Sequence, residues 1–477
     1  MDKGNIKEKD RSEAMGRGKI WSLLWRFSAP AIVSMLVASS YNIVDAIFIG
    51  RLGPEALAAL AIAFPLMIIY MAIGMGIAVG SASRISRYLG AGKRQEADMT
   101  VGAGITLFLI LGALLTIVFY PNLENILRLF GADESVLTLA LAYMKIETMF
   151  ILLNFFMVVL AEIVRAEGSP VLSSAASIIA GVLNCIIDPF LIFGLGPFPE
   201  MGITGAAVAT TIGRGIAVVF LLFYLLSNRS SYKLRFSYFL PKLREYKEIM
   251  HIGFATMVRM SGGSIVQILA ARSAASFGVI PLAVLGVIFR VVSFVFMPCM
   301  GMGQAMMPLV GYNYGAKKNQ RVGEIVVKAG IASTGWAILC WIVIMIATTA
   351  ILSLFGNDAE YLSHGVWAFR IFAITFFTIG IQITVSSFFQ GLGRALPALI
   401  VGSARQVIFL IPGILLLPRF FGLTGLWIAF PIADILGAVV SLVWVMAEFR
   451  RIGLRLRSVP VPSDSTHVLA DNPTEKE

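Results

Sequence analysis

The sequence predicts an all-α integral membrane protein with twelve transmembrane helices in two six-helix bundles, related by a pseudo-two-fold axis along the membrane normal. Three observations carry this expectation. Hydrophobic residues make up 58% of the chain and charged residues 14%, whereas soluble domains average about 25% charged. The apolar residues fall in continuous runs of bilayer-spanning length, about 20 residues each. The second half repeats the first at a constant offset of 225 residues, as in Gly53 against Gly278.

Six runs come first, at Phe27–Gly50, Ala56–Val79, Val101–Tyr120, Leu141–Ile163, Pro170–Phe193 and Gly202–Leu226. Six follow at Ile249–Phe277, Ile280–Met306, Val326–Ala350, Trp367–Gln390, Pro397–Leu417 and Gly422–Met446. They are continuous rather than alternating, which excludes an outer-membrane β-barrel.

Orientation is read from lysine and arginine, which accumulate in cytoplasmic loops. Lys3, Lys7, Lys9, Arg11, Arg17, Lys19 and Arg26 precede the first run. Arg84, Arg87, Lys93, Arg94 and Arg165 share that side, as do Arg229, Lys233, Arg235, Lys242, Arg244 and Lys247. So do Lys317, Lys318, Arg321, Arg394, Arg450, Arg451, Arg455 and Arg457, while Arg51, Arg128 and Arg419 face the other way. Both termini are therefore expected in the cytoplasm, with the chain multi-pass in the cell membrane. The implied organisation is a cytoplasmic N-terminus (1–26), a first bundle (27–226), a basic linker (227–248), a second bundle (249–449) and a cytoplasmic tail (450–477). The polar stretch Ser458–Glu477 is expected to lack fixed structure.

The net charge of +11 is divided among these loops and forms no continuous face for phosphates, so a nucleic-acid partner is not expected. Cys185, Cys299 and Cys340 lie within apolar runs and read as packing residues, with no metal or disulfide spacing. His251, His364 and His467 are scattered. Gly92-Lys93 ends like a phosphate loop, but Arg87 occupies the first glycine position and Arg94 the Ser/Thr position. No enzymatic constellation is present, and no resident cofactor is expected.

The repeat extends through Leu57-Ala58 and Leu282-Ala283, Phe64 and Phe289, Met75-Gly76 and Met300-Gly301, and Gly90-Ala91 and Gly315-Ala316. It continues through Leu129-Phe130-Gly131 with Asp133 against Leu354-Phe355-Gly356 with Asp358, to Gly168 and Gly393. Each unit has an even number of spans, so the two are parallel repeats, an architecture that leaves a cleft for alternating access.

The carboxylates within the runs are candidates for chemistry, because an ionised acid inside a membrane is costly and commonly faces a cavity. Asp45 and Asp188 each precede the outer end of their run by five residues, which puts both at about 7 Å depth. Tyr41 and Asn184 each lie four residues earlier on the same helical face, and Thr210 enters from the same side. These oxygens suit Na⁺, and the paired acids equally suit a proton. A polar network that only locks the helices is the structural alternative. Asn154, Gln267 and Arg290 are candidates for the cleft between bundles. Arg259, Arg272, Arg370 and Arg405 also fall in or near apolar runs, where snorkelling or structural pairing is the ordinary role. At the same offset Asp45 meets Ala270 and Asp188 meets Gly413, so the second half lacks the pair and offers mainly Asp434.

Three passages resemble the multidrug and toxic compound extrusion family, in its DinF-like prokaryotic branch. They are Tyr41-Asn42-Ile43-Val44-Asp45 closing at Gly50-Arg51-Leu52-Gly53, the stretch Gly74–Lys93 echoed by Gly301–Lys318, and Leu183-Asn184-Cys185-Ile186-Ile187-Asp188-Pro189. The likeness spans about Phe27 to Phe449. It implies a secondary antiporter that exports amphipathic, often cationic, organic compounds against Na⁺ or H⁺. Its cation cluster would be Asp45, Asp188, Asn184, Tyr41 and Thr210, with Na⁺ held at Asp45, Asn184, Asp188 and Thr210. The implied partners are small organic solutes and the lipid bilayer, and a monomer is expected. The alternatives are a lipid-linked oligosaccharide flippase of the wider superfamily and a membrane protein that does not transport.

Overall fold

The computed structural model describes residues 12–239 and 243–454, and every regular element among them is helical. Lys3, Lys7, Lys9, Arg11, Lys242, Arg455, Arg457, His467 and the tail Ser458–Glu477 lie outside the described residues. The first half comprises α1 (Ile20–Gly50), α2 (Pro54–Gly90), α3 (Arg94–Phe119), the short α4 (Leu123–Leu129), α5 (Glu134–Met149), α6 (Ile151–Ala166), α7 (Pro170–Phe193) and α8 (Ile203–Leu226). The second half comprises α9 (Leu243–Ala275), α10 (Val279–Gly315), α11 (Asn319–Ser353), α12 (Ala359–Ala373), α13 (Phe377–Leu392), α14 (Ala395–Ser403), a π-helical segment (Ala404–Leu410) and α15 (Ile411–Arg451).

Lipid cannot hydrogen-bond the backbone, so each crossing satisfies its own peptide groups as a helix. Nine helical stretches among the described residues are long and apolar enough to cross a membrane. Two bent pairs add two more crossings: α5 with α6 at 51° and α12 with α13 at 42°. The ninth stretch holds 57 residues and is broken at Gly422, whose φ of 58° and ψ of −144° lie outside the helical region. Twelve crossings result, six in each half.

The duplication is written in the backbone as well as in the sequence. Asp133 and Asp358 are repeat mates, and each caps a helix by accepting from a backbone N–H three residues on, at 3.1 and 2.9 Å. That N-capping job explains an acid retained at both positions. Gly53 and Gly278 share φ values of 123° and 124°. Gly202, at φ 56° and ψ −135°, is the twin of Gly422. Those two glycines stand 220 rather than 225 residues apart, because the connection before the last crossing is five residues shorter in the second half.

Helices α2 and α10 continue past the expected ends at Val79 and Met306, to Gly90 and Gly315. There they cross about the pseudo-axis. A Cβ at Gly90 would overlap the Tyr312 carbonyl, and a Cβ at Gly315 would overlap the Arg87 carbonyl. The pairs are symmetry mates, so one sequence feature makes both halves of the contact.

The two bundles meet through α1 against α10 and α2 against α9 and α10. Their hydrogen bonds gather at the face where both described ends of the chain lie. Asn313 Nδ2 donates to the Met15 carbonyl at 3.0 Å, and Lys318 Nζ to the Gly16 carbonyl at 2.9 Å. Arg84, only 3% exposed, pairs with Glu245 at 2.6 Å and with Glu248. Arg165 Nη1 donates to Gln304 Oε1 across the bundles at 2.9 Å. Among the described residues no side-chain hydrogen bond joins the bundles at the opposite ends of α1 and α10.

Candidate cation site and interbundle cavity

Helices α1, α7 and α8 bring the acid-bearing segments together. Asp45 and Asp188 each stand five residues before the end of their helix. Asp188 is fully buried and Asp45 is 9% exposed. The helices that carry them, α1 and α7, pack directly against each other. Small residues set this approach. A Cβ at Gly181 of α7 would sit 2.7 Å from the Tyr41 ring, and one at Gly213 of α8 would sit 2.6 Å from the Ala180 carbonyl oxygen. Larger residues at either position would push the helices apart and widen the cluster.

The side-chain network is asymmetric in what it leaves over. Asn184 Nδ2 donates to Asp188 Oδ1 and to Thr210 Oγ1, both at 3.0 Å. Three buried oxygens then lack a hydrogen-bond partner: Asp45 Oδ1, Asn184 Oδ1 and Asp188 Oδ2. Such oxygens are costly unless something arrives to satisfy them. A hard monovalent cation or a proton does so, and the donor set is all oxygen, so these residues fit Na⁺ as well as H⁺. Among the described residues no group of three or more His, Cys, Asp or Glu is placed to hold a metal. Tyr41 lies against Gly181 at the edge of this group, and Thr211 turns back to the Ala207 carbonyl.

Two charged members escaped sequence reading. Arg214 on α8 pairs with Glu147 on α5 at 3.1 Å, and Asn154 Nδ2 donates to Glu147 Oε2 at 3.1 Å. Arg214 follows Thr210 by four residues, so one face of α8 touches both Asn184 and Glu147. Glu147 and Asn154 are seven apart, about 10 Å along a straight helix. The break at Phe150, with φ −101° and ψ 18°, lets them meet. Asn154 thus sits within the carboxylate network of the first bundle. A search for Glu and Arg at matching depth would have found the pair.

A MatE family model matches residues 30–190 and again 255–415. The chain belongs to the MatE family. The two matches are themselves 225 residues apart, so the family unit and the internal repeat coincide. The multidrug export protein MepA of Staphylococcus haemolyticus is 26% identical over 427 residues, covering 89% of this chain and 92% of that protein. MepA of Staphylococcus aureus is 26% identical over 434 residues, covering 90% and 94%. A solved outward-facing multidrug resistance MATE transporter of the MOP superfamily superposes with a TM-score of 0.86 at 25% identity, covering 93% of this chain and 98% of that one. A MOP superfamily transporter from Pyrococcus furiosus, described as having a binding pocket of reversed polarity that suggests a different function, superposes with a TM-score of 0.85 at 25% identity, covering 92% and 98%. This MatE protein is therefore a multi-pass membrane protein of a transporter family.

Between its bundles the MatE chain leaves a partly open cavity of about 170 Å³. Repeat mates face each other across it: Met75 and Met300, Val79 and Gln304, Glu162 and Ser387. Most of the remaining wall comes from the second bundle, including Arg259, Arg405 and Gln406. Gln267 and Arg290 are exposed and are not part of this wall. Asp434, buried in α15, pairs with Arg405 and accepts from Thr375 Oγ1 at 2.8 Å.

Proposed function

We propose that this MatE protein is a cation-coupled antiporter exporting amphipathic organic compounds, cationic ones among them, by alternating access. The observation that carries the reading is the set of three unpartnered buried oxygens on Asp45, Asn184 and Asp188. Binding Na⁺ or H⁺ there favours one arrangement of the first bundle, while cargo in the interbundle cavity favours another. Such a difference in affinity between states is what couples two ligands. The curated relatives with multidrug export names support the cargo class, and the Met- and Phe-bearing cavity wall suits varied apolar bodies.

The reading takes the basic face as cytoplasmic, by the distribution of Lys and Arg. The hydrogen bonds between bundles lie at that face, which agrees with the likeness to an outward-facing neighbour. Release of a cation from the Asp45–Asp188 pair would loosen α1 and α7, both of which carry an internal proline, Pro30 and Pro189. The test is efflux of a cationic dye from proteoliposomes under separately imposed Na⁺ and pH gradients. One gradient should drive efflux in the native chain, and neither should do so in Asp45→Asn/Asp188→Asn. Undiminished gradient-driven efflux in the double variant would overturn the assigned site.

A further inference from the structure

The walls of the interbundle cavity carry a charge that the coupling site does not use. Two ion pairs there cancel: Glu162 with Arg165, and Asp434 with Arg405. Arg259 remains. It lines the cavity from α9, its Nε is buried without a hydrogen-bond partner, and it pairs with no carboxylate among the described residues. An unpaired guanidinium inside a membrane is expensive and characteristically waits for an anion. The nearby π-helical segment Ala404–Leu410 points the same way, since π-helical turns are rare and concentrate at functional positions. It sets Arg405 and Gln406 side by side on the same wall, where the Gln406 amide N–H can donate to an anion. Ser386 and Gln390 add donors from α13.

We propose that this cavity holds an anion subsite, in which Arg259 takes the carboxylate, sulfonate or phosphate of an amphipathic cargo while Met260, Phe296 and Met300 take its apolar body. The inference rests on the transporter reading for its context, but it concerns cargo binding and is independent of the coupling cation. The carboxylates of the first bundle receive the cation, and Arg259 of the second bundle receives an anionic headgroup. The cargo class is thereby extended to anionic and zwitterionic amphipaths. A free amphipath and an anionic lipid present the same headgroup chemistry.

Binding to the purified full-length protein, without any gradient, tests this. The probes are dansyl-aminoundecanoate and a dansyl-undecyl-trimethylammonium of matched length, titrated by fluorescence in phosphatidylcholine nanodiscs. Arg259→Gln should weaken the anionic probe about 10- to 100-fold and leave the cationic probe unchanged or tighter. Arg259→Lys, which keeps the charge but loses the planar fork, should fall between. Retained cationic binding in the same variants shows that the fold is intact. Nanodiscs containing phosphatidylglycerol separate the two sources: competition with the anionic probe marks a lipid headgroup as occupant, and no competition marks the free amphipath. The proposal is overturned if the anionic probe does not bind, or if Arg259→Gln weakens both probes equally or neither. A coupling failure in proteoliposomes would leave this result standing, and the converse also holds.

Discussion

The two bundles share a fold and a repeat but leave opposite chemistry unsatisfied. In the first, Asp188 is completely buried and meets only an amide, so acceptor oxygens are left over. In the second, Asp434 is just as buried, yet Arg405 and Thr375 satisfy it, and the charged group left without a counter-ion on the cavity wall is the Arg259 guanidinium. Duplication therefore supplied a symmetric frame, and side-chain divergence divided the labour within it. An acid with no counter-ion can change its occupancy during a cycle, whereas an acid locked to arginine holds helices together.

The largest expected effects follow from making one substitution in both halves. Asp188→Asn should reduce gradient-driven dye efflux in proteoliposomes to the passive leak. Its thermal midpoint in detergent should hold or rise, since a neutral amide escapes the cost of burying a charge without a partner. Asp434→Asn should do the reverse. It strands Arg405, and breaking a buried pair costs about 3–5 kcal/mol, so the midpoint should fall while efflux persists at permissive temperature. Loss of coupling in Asp434→Asn with an unchanged midpoint would erase the contrast between the bundles.

Glu147 sharpens the comparison within the first bundle. Glu147→Gln leaves Arg214 without its carboxylate and should destabilise by about 3 kcal/mol or more, followed as a drop in thermal midpoint. Glu147→Gln/Arg214→Met removes both charges and should recover most of that loss. If the double variant regains stability but not efflux, Glu147 belongs with the acids proposed for coupling as well as with the frame.

Most of the architecture was legible because hydrophobicity and the repeat are both long-range signals in the sequence. Twelve runs, a spacing of 225 and the basic loops suffice for the two bundles. Asp45, Asn184, Asp188 and Thr210 could be picked out because depth and helical spacing place them at one level. Glu147 and Asn154 could not be joined that way, since their contact depends on a break at Phe150 that no glycine or proline announces. Arg290 and Arg259 looked alike in the sequence. Which of them faces the cavity depends on how α9 and α10 are rotated, and that is set by packing between bundles rather than by any local pattern. The shift from 225 to 220 was also hidden, because it falls in a connection where neither half has apolar periodicity to align.

A moderate effect is expected where the bundles close on each other. Arg84→Gln removes the buried partner of Glu245 and Glu248, whose side chains are 17% and 42% exposed and so can rehydrate. The loss should be about 1–2 kcal/mol, above an exposed pair and below a fully buried one. It should fall on the closed basic face alone. Spin labels placed on the two bundles at that face should then report a larger share of separated distances, while labels at the opposite ends move together. Unchanged distance distributions would show that the crossing of Gly90 and Gly315 holds the face closed without the ion pairs.

The smallest expected effect separates the halves at a single backbone position. Gly92 and Lys317 are repeat mates, with φ values of 73° and 58°. Glycine adopts that left-handed conformation freely, while a side chain costs about 1 kcal/mol there. Lys317→Gly should therefore stabilise by up to about 1 kcal/mol, offset in part by the greater entropy of glycine in the unfolded chain. Gly92→Ala should destabilise by a similar amount, and no atom lies within 4 Å of a Cβ added there, so the cost is one of conformation alone. Thermal midpoints moving in opposite directions for the two variants would show that the second half tolerates strain the first avoids. Midpoints that fall together would mean that Lys317 makes a contact at the basic face worth more than the strain it carries.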